Sequence, residues 1–224
     1  MLLKHRILGA IAIAAFGLTA TSCGERTGHA KAADIPESLS SDGSSIVIGS
    51  PAAKTTVQLY VDPRCSTCEE FETVGSGPKL RSMAQRGEAK VQYSFMASSG
   101  IASQKVVNAL RAALEEGKFV EYHEALYGDH AKEPAEGVTD AHLLTLASRV
   151  EGLRGERFDT AVRTMKYRSF VGATEKASQG SGSVDKPTME INDVPLPEHQ
   201  DDTILFDAEF LTRYIDEVAN AEPS

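Results

Sequence analysis

The sequence predicts an α/β domain: a central mixed β-sheet flanked by helices, with a helical insertion set into it. Three observations point there. Residues 55–95 read strand, helix, strand, with apolar alternation at Val57, Leu59 and Val61 and again at Val91, Tyr93 and Phe95. Residues from about 101 to 180 then carry almost nothing but helical periodicity. The chain finally returns to strand at Met189 and Ile191 before a last amphipathic helix. At 224 residues, 41% of them hydrophobic, it is long enough for one domain with a substantial core.

The elements follow in chain order. Residues 1–22 read as a secretory signal: Lys4 and Arg6 give a positive start, Ile7 to Ala20 form an apolar run of 14, and small residues precede Cys23. The run is short for a membrane span. Ala20-Thr21-Ser22-Cys23 resembles a bacterial lipobox, in which the cysteine is diacylated and becomes the new N-terminus. That family pattern usually has Leu where Ala20 stands, and cleavage nearby with an incidental Cys23 is the alternative. Residues 23–45, rich in Ala, Ser, Gly and charge, read as a flexible tether. The folded domain is expected over 46–220.

Ile46 to Ile48 is a short strand candidate, followed by the alternating strand that ends at Val61. Asp62-Pro63-Arg64 then turns the chain, and Cys65-Ser66-Thr67-Cys68-Glu69-Glu70-Phe71 opens a helix whose first turn is acidic. This helix breaks or kinks near Gly75-Ser76-Gly77-Pro78. The helical insertion is carried by Val106, Val107 and Leu110, by Phe119, Val120 and Leu126, by Leu143, Leu146 and Val150, and by Phe158, Val162 and Met165. Asn192-Asp193 marks a tight turn between Ile191 and Val194. Asp207 is the N-cap of a final helix bearing Phe210, Leu211, Tyr214, Ile215 and Val218. No internal repeat is present.

The net charge of −9, with no basic cluster beyond the first residues, lacks the electrostatic footprint of a nucleic-acid binder. The chemistry lies at Cys65 and Cys68. Cysteines at i and i+3 share one face of a first helical turn and are close enough for a disulfide. Such a bridge closes a tiny loop and constrains the unfolded chain little, so its value is chemical. At a helix start, unpaired N–H groups and the positive dipole end favour thiolate, making Cys65 the attacking or leaving sulfur and Cys68 the resolving one. Arg64 would push the same way, and Ser66 and Thr67 supply hydroxyl donors. No organic cofactor is needed. Two alternatives compete, an inert structural bridge and half of a zinc site. Zinc wants about four ligands, and His29, His123, His130, His142 and His199 show no ligand spacing around a second motif.

The strand, the segment Asp62 to Cys68 and the helix containing Phe71 resemble thioredoxin-like proteins of the DsbA type. Gly49-Ser50-Pro51-Ala52-Ala53 resembles the loop before that family's first long strand, and Leu114 to Tyr127 its inserted helices, with Gly152-Leu153 and Phe158 continuing the register. The similarity spans about residues 46–219. It implies a thiol-disulfide oxidoreductase acting on cysteine-containing exported proteins, in the cell envelope, as oxidase or isomerase, with a membrane redox partner. The alternatives are a disulfide reductase fed by a membrane carrier and a non-catalytic lipid-anchored binding module. The resemblance also makes Pro187 a cis-proline facing the disulfide and Lys186 its substrate-facing neighbour; a plain trans proline leading into a strand is the alternative. Departures are instructive. Ser66-Thr67 replaces the family's Pro-His or Pro-Tyr, Leu59 stands where a buried acid is common, Asp62 is expected too near the surface to substitute, and the Lys186 cation is expected opposite Cys65. His123 is expected to pack half-buried on a helix face.

Overall fold

A computed structural model of the chain describes residues 35–97, 100–129, 137–179, 181 and 186–220. The signal segment, Cys23, His29, His130 and Ser183 to Asp185 lie outside the described residues. Among the described residues a six-stranded mixed sheet forms the centre: β1 (Glu37–Leu39), β2 (Ile46–Ile48), β3 (Thr55–Val61), β4 (Ala89–Phe95), β5 (Thr188–Ile191) and β6 (Val194–Pro195), lying in the order β1-β2-β4-β3-β5-β6. β3 (Thr55–Val61) and β4 (Ala89–Phe95) run parallel, with Val57 opposite Val91 and Val61 opposite Phe95. The parallel pairing requires a crossover, which α1 (Ser66–Thr73) and α2 (Gly77–Gln85) supply. The helix break expected near Gly75 is the gap between these two. Gly75 and Gly77 are needed there because a side-chain carbon on either would lie 2.8 Å from the α1 backbone.

β2 and β5 flank the parallel pair antiparallel, and β1 and β6 close the edges by pairing antiparallel with β2 and β5. Asn192 and Asp193 both adopt positive φ, 51° and 65°, as a two-residue hairpin requires. Asn192 also accepts the Thr56 N–H through its side-chain oxygen at 2.8 Å, fastening the hairpin to β3.

One boundary moves. Residues 37–45, read from sequence as tether, are the strand β1 and a turn in which Ser40 accepts from the backbone of Ser44 and Ser45. The Glu37 carboxylate accepts the N–H groups of Phe119 and Val120 at 3.0 and 2.7 Å, capping α4 (Phe119–Tyr127) from the far edge of the sheet. A three-residue strand is too short to show a period, so only its partners reveal it.

The insertion comprises α3 (Ile101–Glu115), α4, α5 (Asp140–Ala147), α6 (Glu156–Arg163) and α7 (Arg168–Ser178). Its last helix returns to the sheet: Thr174 and Ser178 hydroxyls bond the N–H and carbonyl of Phe95 at 2.7 and 3.1 Å. One apolar cluster joins Val57, Leu59, Tyr93 and Phe95 to Phe71, Leu80, Leu110, Phe119 and Leu126, so sheet and helices share a core. α8 (Asp201–Phe206), too short for a readable period, precedes α9 (Ala208–Asn220), which Asp207 caps as expected through two bonds of 2.9 Å.

Candidate active site

The C-terminal ends of β3 and β4 meet at one end of the sheet, and the chain leaves β3 there into α1. Asp62 makes the turn: its Oδ1 accepts the Arg64 N–H at 2.9 Å, and its carbonyl accepts the Cys65 N–H at 3.2 Å. Pro63 fixes φ within that turn. Ser103, at the start of α3, donates to the same Oδ1 at 3.0 Å. Asp62 is 1% exposed, against the expectation that it lies near the surface. The wall placed over it by α3 has no sequence neighbour of Asp62 in it.

Cys65 is the N-cap of α1, with extended backbone, and is disulfide-bonded to Cys68 across a Cα separation of 5.1 Å. Its Sγ accepts the Cys68 N–H at 3.0 Å. The two sulfurs differ in access: Cys65 is partly exposed, while Cys68 is completely buried beside Phe71. A nucleophile from solvent therefore reaches Cys65 first. Ser66 is exposed and Thr67 half-exposed on the same turn. Arg64 is half-buried and lines a narrow apolar groove with Pro63, Val106 and Leu126. Among the described residues no group of three His, Cys, Asp or Glu is arranged to hold a metal ion.

Lys186 and Pro187 lie at this end of the sheet too, because β5 starts with Thr188 opposite Tyr60. One expectation changes here. None of the described peptide bonds is cis, so the Lys186–Pro187 bond is trans. The chain passes straight into the ladder at Thr188, and a tertiary amide prefers trans by about 0.5–1 kcal/mol unless its surroundings impose the other form. The Lys186 ammonium is held by Asp201 at 2.5 Å and Asp202 at 3.0 Å, and these bonds raise its pKa. Both carboxylates stand in the first turn of α8. A cavity of about 300 Å³ opens beside it, lined by Tyr60, Pro187, Thr188, Leu196 and Leu205.

Sequence reasoning missed a buried polar group behind the cysteines. Glu72, one helical turn beyond Cys68, is fully buried; Arg81 bonds its carboxylate Oε2 at 2.5 Å and its carbonyl at 2.8 Å, and reaches Glu124 at 3.2 Å. His123 is 1% exposed, more deeply placed than the half-buried packing expected, with ring centroids 4.7–5.3 Å from those of Tyr127, Tyr93 and Phe119. Its Nε2 stands 3.7 Å from Glu72 Oε1. Burial raises the Glu72 pKa to about 7 despite Arg81, and burial together with Arg81 holds His123 well below its ordinary value. His123 is therefore neutral, and the pair is not a salt bridge. The available signal was Glu72 falling at i+4 from Cys68.

Comparison with known proteins agrees with this architecture. A family model described as thioredoxin matches residues 41–207. The structure is similar to BdbD from Bacillus subtilis in its oxidised form, with 20% identity, a TM-score of 0.68, and coverage of 84% of this chain and 100% of that one. It is also similar to MdbA, a thiol-disulfide oxidoreductase from Corynebacterium diphtheriae, at 19% identity and a TM-score of 0.61, covering 77% and 92%. DsbA from Chlamydia trachomatis matches at 17% identity and a TM-score of 0.62, covering 80% and 93%. A search of curated proteins found no match. With a disulfide at the head of the first crossover helix, a mixed sheet and a helical insertion, the chain belongs to the thioredoxin family.

Proposed function

We propose that this protein is a thiol-disulfide oxidoreductase that oxidises or isomerises cysteines in exported proteins. One observation carries the reading: a disulfide at a helix N-terminus whose outer sulfur, Cys65, is accessible and whose inner sulfur, Cys68, is buried. A client thiolate attacks Cys65 and expels Cys68 as the leaving sulfur. The mixed disulfide is then released by a second client thiol or by return of Cys68. Lys186 and Pro187, with the adjoining cavity, form the wall along which the client chain lies.

The Cys65 thiolate, once released, faces the first N–H groups of α1, and stabilising it favours the reduced pair, which makes the oxidised pair an oxidant. The signal-like residues 1–22 support action outside the cytosol, where a vicinal disulfide persists. Cys23 as lipid anchor would hold the domain at the membrane, near a membrane redox partner that restores the disulfide. No helix among the described residues is long and apolar enough to cross a membrane.

The test is Cys68→Ser in cells. Cys65 should then accumulate as mixed disulfides with exported proteins, visible as thiol-sensitive bands and absent when Cys65 is also replaced. A variant that collects no adducts would instead make the domain a binding module with an inert bridge.

A further inference from the structure

The cavity beside Pro187 carries a charge that its position makes informative. It opens at the client wall, and Tyr60, two residues before the Asp62 turn, forms part of its lining. Between Lys186 and Arg213 the chain has seven Asp and Glu and no Lys or Arg. Three of those carboxylates, Glu190, Glu198 and Asp201, line the cavity, against the single cation Lys186 among the described lining residues. Asp201 and Asp202 hold the Lys186 ammonium, so this wall already binds one cation of the chain's own. Glu190 and Glu198 are left over. Glu190 accepts from the Tyr60 hydroxyl at 3.4 Å, and neither carboxylate has a cation beside it among the described residues. Thr188 Oγ1, at the start of β5, is shut away from solvent without a hydrogen-bond partner. The ring of Tyr60 and the side chains of Leu196 and Leu205 make the rest of the wall apolar. A guest that satisfies such a lining has a long apolar stem and a cationic, hydrogen-donating tip.

Resting on the oxidoreductase reading above, we propose that this cavity is a specificity pocket that receives a lysine or arginine side chain flanking the reacting cysteine of the client, so that basic segments are the preferred substrates. The stem of that side chain lies along Tyr60, Leu196 and Leu205. Its charged tip meets Glu190 and Glu198, with Thr188 Oγ1 as a further acceptor. An apolar client side chain in the same place would strip water from Glu190 without replacing it, and an acidic one would be repelled. The neighbourhood has the sign that a cationic guest needs: burial, then Glu190 and Asp193, raise the pKa of Tyr60. At about 300 Å³ the cavity is at the small end for a ligand site and suits one long side chain. Glu190 and Glu198 thus determine which client is taken, while the exchange itself stays with Cys65 and Cys68.

Competing peptides provide the test. The oxidised wild-type protein is mixed with two-cysteine peptides in which each position flanking the first cysteine carries lysine, norleucine or glutamate in turn. The two peptide thiols become a disulfide, the Cys65–Cys68 bond takes up their electrons and protons, and acid quenching with mass spectrometry gives the rate. The expected result is a preference confined to one or two positions, with lysine faster than norleucine by about fivefold or more and glutamate slowest. That ratio should shrink toward one as sodium chloride rises from about 20 mM to about 0.5 M. It should also shrink in the double variant Glu190→Gln/Glu198→Gln and persist in Glu209→Gln/Glu217→Gln, which removes the same charge from exposed positions on α9. A preference that is equal at every position, or that falls equally in both double variants, is diffuse attraction to an acidic surface and overturns the pocket. So does a wild-type ratio of one throughout, which depends on no variant and leaves the oxidoreductase reading standing. If no peptide of any sequence is oxidised, the redox reading falls and the pocket with it.

Discussion

Cys65 stands where two influences meet: the N–H groups at the start of α1, and among them the Cys68 N–H aimed at its sulfur at 3.0 Å. Each favours sulfur anion over thiol. The expected outcome is a Cys65 pKa in the reduced protein below the ordinary ~8.5, read from thiolate absorbance or alkylation rate against pH. Because a stabilised reduced form raises the potential, equilibration with glutathione should place the pair above thioredoxin's value of about −270 mV. An ordinary thiol pKa with a potential at or below thioredoxin's would point to the reductase direction. The two cysteines and their helix were legible in the sequence because spacing and capping are local. The fate of Lys186 was not, since its partners lie 15 and 16 residues further on.

Elements in this fold are held by side chains reaching across to another element's free backbone groups. Glu37 is the clearest case, an edge-strand carboxylate accepting two N–H groups at the start of α4, 82 and 83 residues away. Burial raises its pKa even so, the two bonds acting in the opposite sense. Replacing Glu37 by Ala leaves both donors without that acceptor and should destabilise the domain by roughly 1–2 kcal/mol in urea unfolding. If residues 37–45 behaved as tether, the substitution would change nothing. Asp207 performs the same service for α9 from within its own sequence, and was readable for that reason. α1 and α2 were separable in sequence because Gly75-Ser76-Gly77-Pro78 breaks the helix. α7 was not assignable to the sheet, because nothing in its period says that Thr174 and Ser178 meet Phe95.

At the scale of the molecule, one core holds sheet and helices together, and its polar inclusion sets the pH response. Glu72 keeps its proton in the folded state to about pH 7, whereas an unfolded glutamate releases it near 4.5, so stability from this group falls as pH rises through that window. His123 stays neutral when folded, so stability from it falls as pH drops below 6.5. Between about 4.5 and 6.5 the two slopes oppose each other. Glu72→Gln should remove the falling limb that Glu72 contributes between about 4.5 and 7, so that in chemical denaturation of the oxidised protein the rise due to His123 below 6.5 is steeper than in wild type. A profile parallel to wild type would place the Glu72 proton elsewhere. By itself the sequence determined the strand, helix, strand unit, the helical block, the last helix and its cap, and a reactive pair at a helix start. All of these are written in periods of two or 3.6 and in neighbours a few residues apart. Only the tertiary structure decided that Asp62 is buried, that Glu37 caps a distant helix, that Lys186 answers to α8, and that Glu72 meets Arg81 and His123 behind Cys68. Those juxtapositions depend on which surfaces the shared core brings together, and that is a property of packing in three dimensions rather than of any local pattern.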